Sequence, residues 1–240
     1  MRYIDSYRFA FQSDNWQKNL LLTSVCVLIP YVGIVVFSGY LFELLEFKHR
    51  HGDEEPYADF DFNRFVDYLK RGLWPFLCSL VINAVLMPVF MVIYLIPMLI
   101  IMADPPAVIA FMVTVVMVVG MGLLTIVLSM VTIPISLRAG LQQEFAPAFS
   151  LDYLKSFVKL MWRELLLSSL FLTATGFAVA FLGFAACCIG VVPAIAIMMF
   201  AQLHIEYQLY ELYLQRGGSE IPLKTPEPPA RFDEPSAHLP

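Results

Sequence analysis

The chain has 240 residues, of which 59% are hydrophobic and 15% charged, with a formal net charge of −5 and a mean hydropathy of +0.72. An ordinary globular domain is about 45–50% apolar and about 25% charged, so these values exclude a disordered chain, a collagen-like repeat and a disulfide scaffold. They also exclude a water-soluble single domain, because too little polar surface exists to coat the core. With 15 Lys+Arg there is no basic surface for nucleic acid. What remains is an all-α integral membrane protein that crosses the bilayer several times.

Residues 1–19 form an amphipathic N-terminal segment in which Arg2, Asp5, Arg8, Asp14 and Lys18 precede the first apolar run. No small-residue cleavage site follows, so a cleavable signal is not expected. The membrane domain is expected over 20–216. A bilayer core about 30 Å thick needs around 20 apolar helical residues, and charge-free runs locate candidates at 20–42, 73–101 and 107–133. The second and third form a hairpin turned at Asp104-Pro105-Pro106, since proline restarts a helix and cannot extend one. A last run, 165–203, is long enough for two spans and is expected to break near Gly190 and Pro193, giving spans at 165–187 and 190–208. The predicted bundle has about five spans, with four and six both open.

Lys48, Arg50, Arg64, Lys70 and Arg71 lie in the first long loop, and Arg138, Lys155, Lys159 and Arg163 in the second. The Asp104 turn has none, so both loops and the C-terminal tail are expected on the cytoplasmic side of the cell membrane. Five spans would then put the N-terminus outside, against the preference of Arg2, Arg8 and Lys18. A re-entrant or sharply kinked hairpin at Pro30 and Gly33 would remove the conflict. Residues 62–73 and 150–164 carry apolar residues on one helical face and charges on the other, and are predicted as interfacial helices lying in the headgroup plane. Packing of those faces on the protein's own core is the alternative. Trp74 and Trp162 stand where each helix meets a span. The tetrapeptide Asp-Tyr-Leu-Lys occurs at 67–70 and 152–155, each time ahead of a long apolar hairpin, which points to a repeated unit.

Within the spans Gly176, Ala180, Gly183 and Cys187 form a strip of small residues suited to close helix packing, inside the subunit or against a partner. Asn83 is the candidate buried polar residue, placed five positions before Pro88. No ionisable residue lies well inside a predicted span, which disfavours proton- or sodium-driven transport. Cys26, Cys78, Cys187 and Cys188 sit in apolar runs and read as packing residues. The segment from His49 to Glu55 has no fixed ligand spacing. His204 and Glu206 are two residues apart and point in different directions on a helix. No catalytic motif, cofactor site or metal site is expected. Residues 217–240 are proline-rich and predicted to be a disordered tail, with Pro226-Glu227-Pro228-Pro229 as a possible dock in polyproline form.

Several short motifs recur in an ordered series: Asp14-Asn15-Trp16, Ile29-Pro30-Tyr31-Val32-Gly33, Gly39-Tyr40-Leu41, Gly52-Asp53, Pro56, Asp59-Phe60, Gly72, Ile133-Pro134, Arg138, Ala148-Phe149 and Leu203-His204. In these the chain resembles the prokaryotic membrane family Domain of Unknown Function 4013, over roughly residues 5–215. The resemblance implies a multi-pass protein without a known catalytic residue, so it carries no site over. The expected role is non-enzymatic, organising membrane or partner proteins, with a passive or lipid-linked transporter as alternative. The expected partners are the lipid bilayer and a protein bound through the membrane helices or the tail.

Overall fold

The computed structural model describes residues 1–52, 57–185 and 190–224. Among them there is no strand, and the helices follow as α1 (Tyr3–Phe9), α2 (Trp16–Leu28), α3 (Val32–His51), α4 (Phe65–Met102), α5 (Ala107–Gln142), α6 (Leu151–Ala185) and α7 (Val191–Gln215). They pair in sequence as three hairpins, α2–α3, α4–α5 and α6–α7, and α1 docks on α7. Each hairpin turn follows from local chemistry. Pro30 ends α2, and Tyr31 takes a left-handed φ of 61° before α3 starts. Gly33 is required at this turn, since a Cβ there would stand 1.9 Å from the Cys26 carbonyl oxygen. Asp104, with φ of 52°, turns the chain between α4 and α5 ahead of two prolines.

The open ends of all three hairpins gather at one polar end of the bundle. There the start of α2 meets the loop after α3, through Asn19 and Asp59. The end of α3 meets the end of α7 through His49 and Glu211, and Arg216 reaches Glu164 of α6. The core lies behind this end. Phe37, Tyr40 and Leu45 of α3, Leu137 of α5, Phe157 and Met161 of α6, and Phe200 and Tyr213 of α7 are all buried. Phe200 is its aromatic centre, packed edge-on to Phe37 at 5.4 Å and against Phe9, Tyr40 and Tyr57.

Several expectations change. The first predicted span, 20–42, is not one helix. Pro30 divides it, and α2 with 13 residues rises only about 20 Å, short of a bilayer core. Because α2 begins where α3 ends, the N-terminus lies at the same end as both polar loops. Pro30 and Gly33 thus stand at the tip of a helical hairpin. The predicted interfacial helices 62–73 and 150–164 are not separate elements either. The first continues without a break into α4 and the second is the start of α6. The apolar face of the first stays largely uncovered, with Phe62, Val66 and Leu73 exposed, whereas the second buries Met161 beside Tyr153 and Phe157. Among the described residues three helices are long and apolar enough to cross a membrane: Phe62–Met102, Ala107–Gln142 and Leu151–Ala185. The helix α7 is not among them, because Gln202, His204, Glu206 and Gln208 interrupt its apolar run. The tail, expected to be disordered from 217, packs on the bundle at first: Ile221 is buried, and its N–H donates to Tyr210 Oη at 2.9 Å. The polyproline segment lies outside the described residues.

Candidate functional site

Three glycines, Gly39, Gly72 and Gly140, bring the helices close enough to frame a cavity. A Cβ on Gly39 of α3 would lie 1.8 Å from the Tyr68 carbonyl oxygen of α4, and one on Gly72 would lie 1.8 Å from the Val35 carbonyl oxygen. The backbones of α3 and α4 therefore touch at this crossing. A Cβ on Gly140 of α5 would meet the Phe42 ring at 2.3 Å, so the ring of Phe42 on α3 packs directly on the α5 backbone. Next to these contacts, α3, α4, α5 and α7 enclose a cavity of about 240 Å³ lined by Ser38, Phe42, Phe76, Ser79, Ser136, Gln202 and Glu206, among others.

Gln202 and Glu206 are one helical turn apart and share a face of α7. Glu206 is 4% exposed, and its Oε1 accepts a hydrogen bond from Gln202 Nε2 at 2.8 Å. Among the described residues no Lys or Arg forms an ion pair with it. Ile34, Ser79 and Gln202 at the rim are exposed, so the cavity opens sideways between the helices. The nearest charged pair on α3 and α4 is Glu46 with Arg71, about two turns toward the polar end from Ser38 and Ser79.

Glu206 and His204 fall inside the segment predicted as the last span, and both are buried. Both stand near the end of that segment, on a helix that is not among those apolar enough to cross a membrane. The two side chains do face different surroundings. His204 stacks on Phe9 with ring centroids 4.9 Å apart, and its Nδ1 lies 3.2 Å from Ser6 Oγ and 3.1 Å from Gln208 Nε2. It joins α1 to α7.

The small-residue strip lies on α6 facing α7. A Cβ added to Gly176 would stand 2.7 Å from Met198 Cε, and one on Gly183 would stand 3.0 Å from Val191 Cα. Ala180 is half-buried between them, and Cys187 lies outside the described residues, as does Cys188. Gly176 and Gly183 therefore pack within the chain. Asn83 is not buried as expected. It is exposed on α4, where its Nδ2 donates to the Ser79 carbonyl at 2.8 Å, so a local bond satisfies it on the outer face. Cys26 and Cys78 are free thiols buried in the packing. Among the described residues no group of three or more His, Cys, Asp and Glu is placed to hold a metal.

Charged and polar clusters hold the polar end, among them three built on Asp59, His49 and Arg216. Asp59 accepts from Ser13 Oγ at 2.7 Å, Asn15 Nδ2 at 2.5 Å and Asn19 Nδ2 at 2.9 Å. The Ser13 hydroxyl foremost, with Asn19 and Asn15, holds its carboxyl below the usual range. Asn19 Oδ1 in turn accepts from the Phe60 N–H. His49 stands between two carboxylates, with Nδ1 2.5 Å from Glu211 and Nε2 3.7 Å from Glu220. The bond to Glu211 raises its pKa against the opposing effect of burial. Arg216 grips both oxygens of Glu164 at 2.5 and 2.9 Å, which lowers the pKa of that carboxyl.

These features define an all-helical protein with three helices long and apolar enough to cross a membrane. The chain belongs to the family described as protein of unknown function (DUF4013), whose profile matches residues 22–189. The match is shorter than the expected 5–215 and ends before α7, so the carboxylate of Glu206 lies outside it. No curated protein and no solved structure matches the chain.

Proposed function

We propose that the protein is a non-enzymatic multi-pass protein of a prokaryotic cytoplasmic membrane that organises membrane or partner proteins. One observation carries this reading. The distal half of the α4–α5 hairpin presents an exposed apolar surface: among the described residues Val85, Leu95, Leu99, Met102, Val108, Phe111, Val116 and Leu123 are all uncovered. An uncharged surface of that extent needs lipid or the helices of another protein around it. Beside it, a groove of about 500 Å³ runs between α4, α5 and the start of α6, with Val85, Leu124, Val131, Phe149 and Leu154 in its wall. In this reading α4, α5, α6 and α7 cross the bilayer, and α2–α3 enters from the cytoplasmic side and returns. The polar end, which carries Arg64, Lys70, Lys155, Lys159 and Arg163, then faces the cytoplasm. Purification in mild detergent with lipid and protein analysis is expected to recover a bound partner or retained lipid. Recovery as a bare monomer contradicts the proposal.

The cavity at Glu206 supports a second reading, a passive or lipid-linked transporter. A buried carboxylate costs energy unless it is matched, and ionisable groups kept inside helical membrane proteins generally meet ions or substrates. Vesicles reconstituted with the protein would show solute or lipid flux above protein-free vesicles in this case. Flux equal to the control across a broad panel ends the reading.

A further inference from the structure

We propose that the cavity between α3, α4, α5 and α7 binds a small organic ammonium ion, with the Glu206 carboxylate as its counter-charge. Glu206 is 4% exposed and lines the cavity, with a single hydrogen bond from a neutral amide and no ion pair to a described Lys or Arg. When ionised, the carboxylate repels anions. A primary ammonium group has three N–H donors, and the acceptors are present around it. One donor goes to the carboxylate, and the hydroxyls of Ser38, Ser79 and Ser136 with the Gln202 amide oxygen supply the others.

The rest of the wall selects an organic cation over a metal ion. Calcium and magnesium call for about six or more oxygen ligands, several of them charged or water, whereas this site has a single carboxylate among apolar side chains. The rings of Phe42 and Phe76 in the lining suit an alkylammonium ion, which gains from aromatic faces and from an apolar seat for its carbon chain. The volume of about 240 Å³ is on the order of eight water molecules at ~30 Å³ each, which fits an amine of three or four carbons. Occupancy does not require passage across the membrane. A failed flux assay therefore leaves the site standing, and failed binding leaves the organising role standing.

The test is thermal unfolding of the full chain in mild detergent at neutral pH with n-propylammonium chloride. Sodium chloride at equal ionic strength and n-propanol serve as controls. Propylammonium is expected to raise the unfolding midpoint in a saturable, concentration-dependent way, and neither control is expected to do so. Glu206→Gln removes the charge-assisted bond and is expected to weaken binding by about tenfold or more. Ser79→Leu places a larger side chain on the exposed rim of the cavity, leaves the carboxylate intact and is expected to abolish the shift. If Glu206→Gln does not fold, Ser79→Leu decides alone. An absent shift in the wild type overturns the proposal, as does an equal shift with sodium or propanol. Undiminished binding in a folded variant overturns it equally.

Discussion

Replacing Gly72 by alanine tests how α3 and α4 are held. The added Cβ would stand 1.8 Å from the Val35 carbonyl oxygen and 2.8 Å from the Gly39 nitrogen. Both are backbone atoms, so no side chain can swing aside, and relief requires the helices to part by about 1.5 Å. Overpacking of this kind costs about 1–3 kcal/mol, and rigid neighbours place it at the upper end. Alanine recovers about 0.5–1 kcal/mol as the better helix former, which leaves a net loss of about 2 kcal/mol. The midpoint of denaturant unfolding in detergent micelles reads the loss directly. Gly39→Ala meets the Tyr68 carbonyl across the same crossing, so the double variant should cost less than the sum, because one separation relieves both clashes. Gly122 has nothing within 4 Å of its would-be Cβ, and Gly122→Ala should be neutral or slightly stabilising. Equal stability of Gly72→Ala and Gly122→Ala would refute the backbone contact.

The remaining predictions concern the polar end. His49 has a raised pKa in the folded state, so its stabilisation is complete below about 6.5 and fades as pH rises through the folded value. The stability gap between wild type and His49→Gln should accordingly be widest near pH 6 and narrow toward alkaline pH; a gap that does not change with pH contradicts the pairing with Glu211 and Glu220. Asp59 has a lowered pKa, and its contribution is present above about 3.9 and lost as pH falls through the folded value. Asp59→Ala should cost about 2–3 kcal/mol through the loss of charge-assisted bonds and speed proteolysis of the loop after α3. Wild-type protection in the variant would count against the cluster. Glu164→Gln weakens the grip of Arg216 and should cost about 1 kcal/mol, a figure held low by the partial exposure of Arg216; added salt should shrink it.

Much of this fold was legible because long charge-free runs and their prolines act locally. The turns at Asp104 and Pro30 follow from local backbone chemistry, but α4 continues through Pro75, Pro88 and Pro97 and α5 through Pro134, so proline alone does not set a break. The fate of the amphipathic segments was not legible. A helix face of Phe65, Leu69 and their neighbours reads the same whether lipid headgroups or protein cover it, and only the tertiary partner decides. Glu206 was passed over as an interfacial helix end. The signal available was its spacing of four from Gln202, which puts two polar side chains on one face of an otherwise apolar helix. The converse held at Asn83, where a polar residue in an apolar run bonds to its own helix and needs no partner. Gly39 and Gly72 stood among the motifs that carry the family resemblance, yet their contact joins residues 33 positions apart, and no local pattern pairs them.

The central claim is that three helical hairpins open toward one face, so that the N-terminal segment, the end of α7 and both polar loops share a side of the membrane. Single cysteines introduced in a cysteine-free background as Asp14→Cys, Ser219→Cys and Asp104→Cys can be labelled with a membrane-impermeant maleimide in intact cells and in inverted vesicles. The account predicts that positions 14 and 219 react in inverted vesicles alone and position 104 in intact cells alone. Labelling of 14 and 219 from opposite sides, or of 104 from the same side as both, would contradict it.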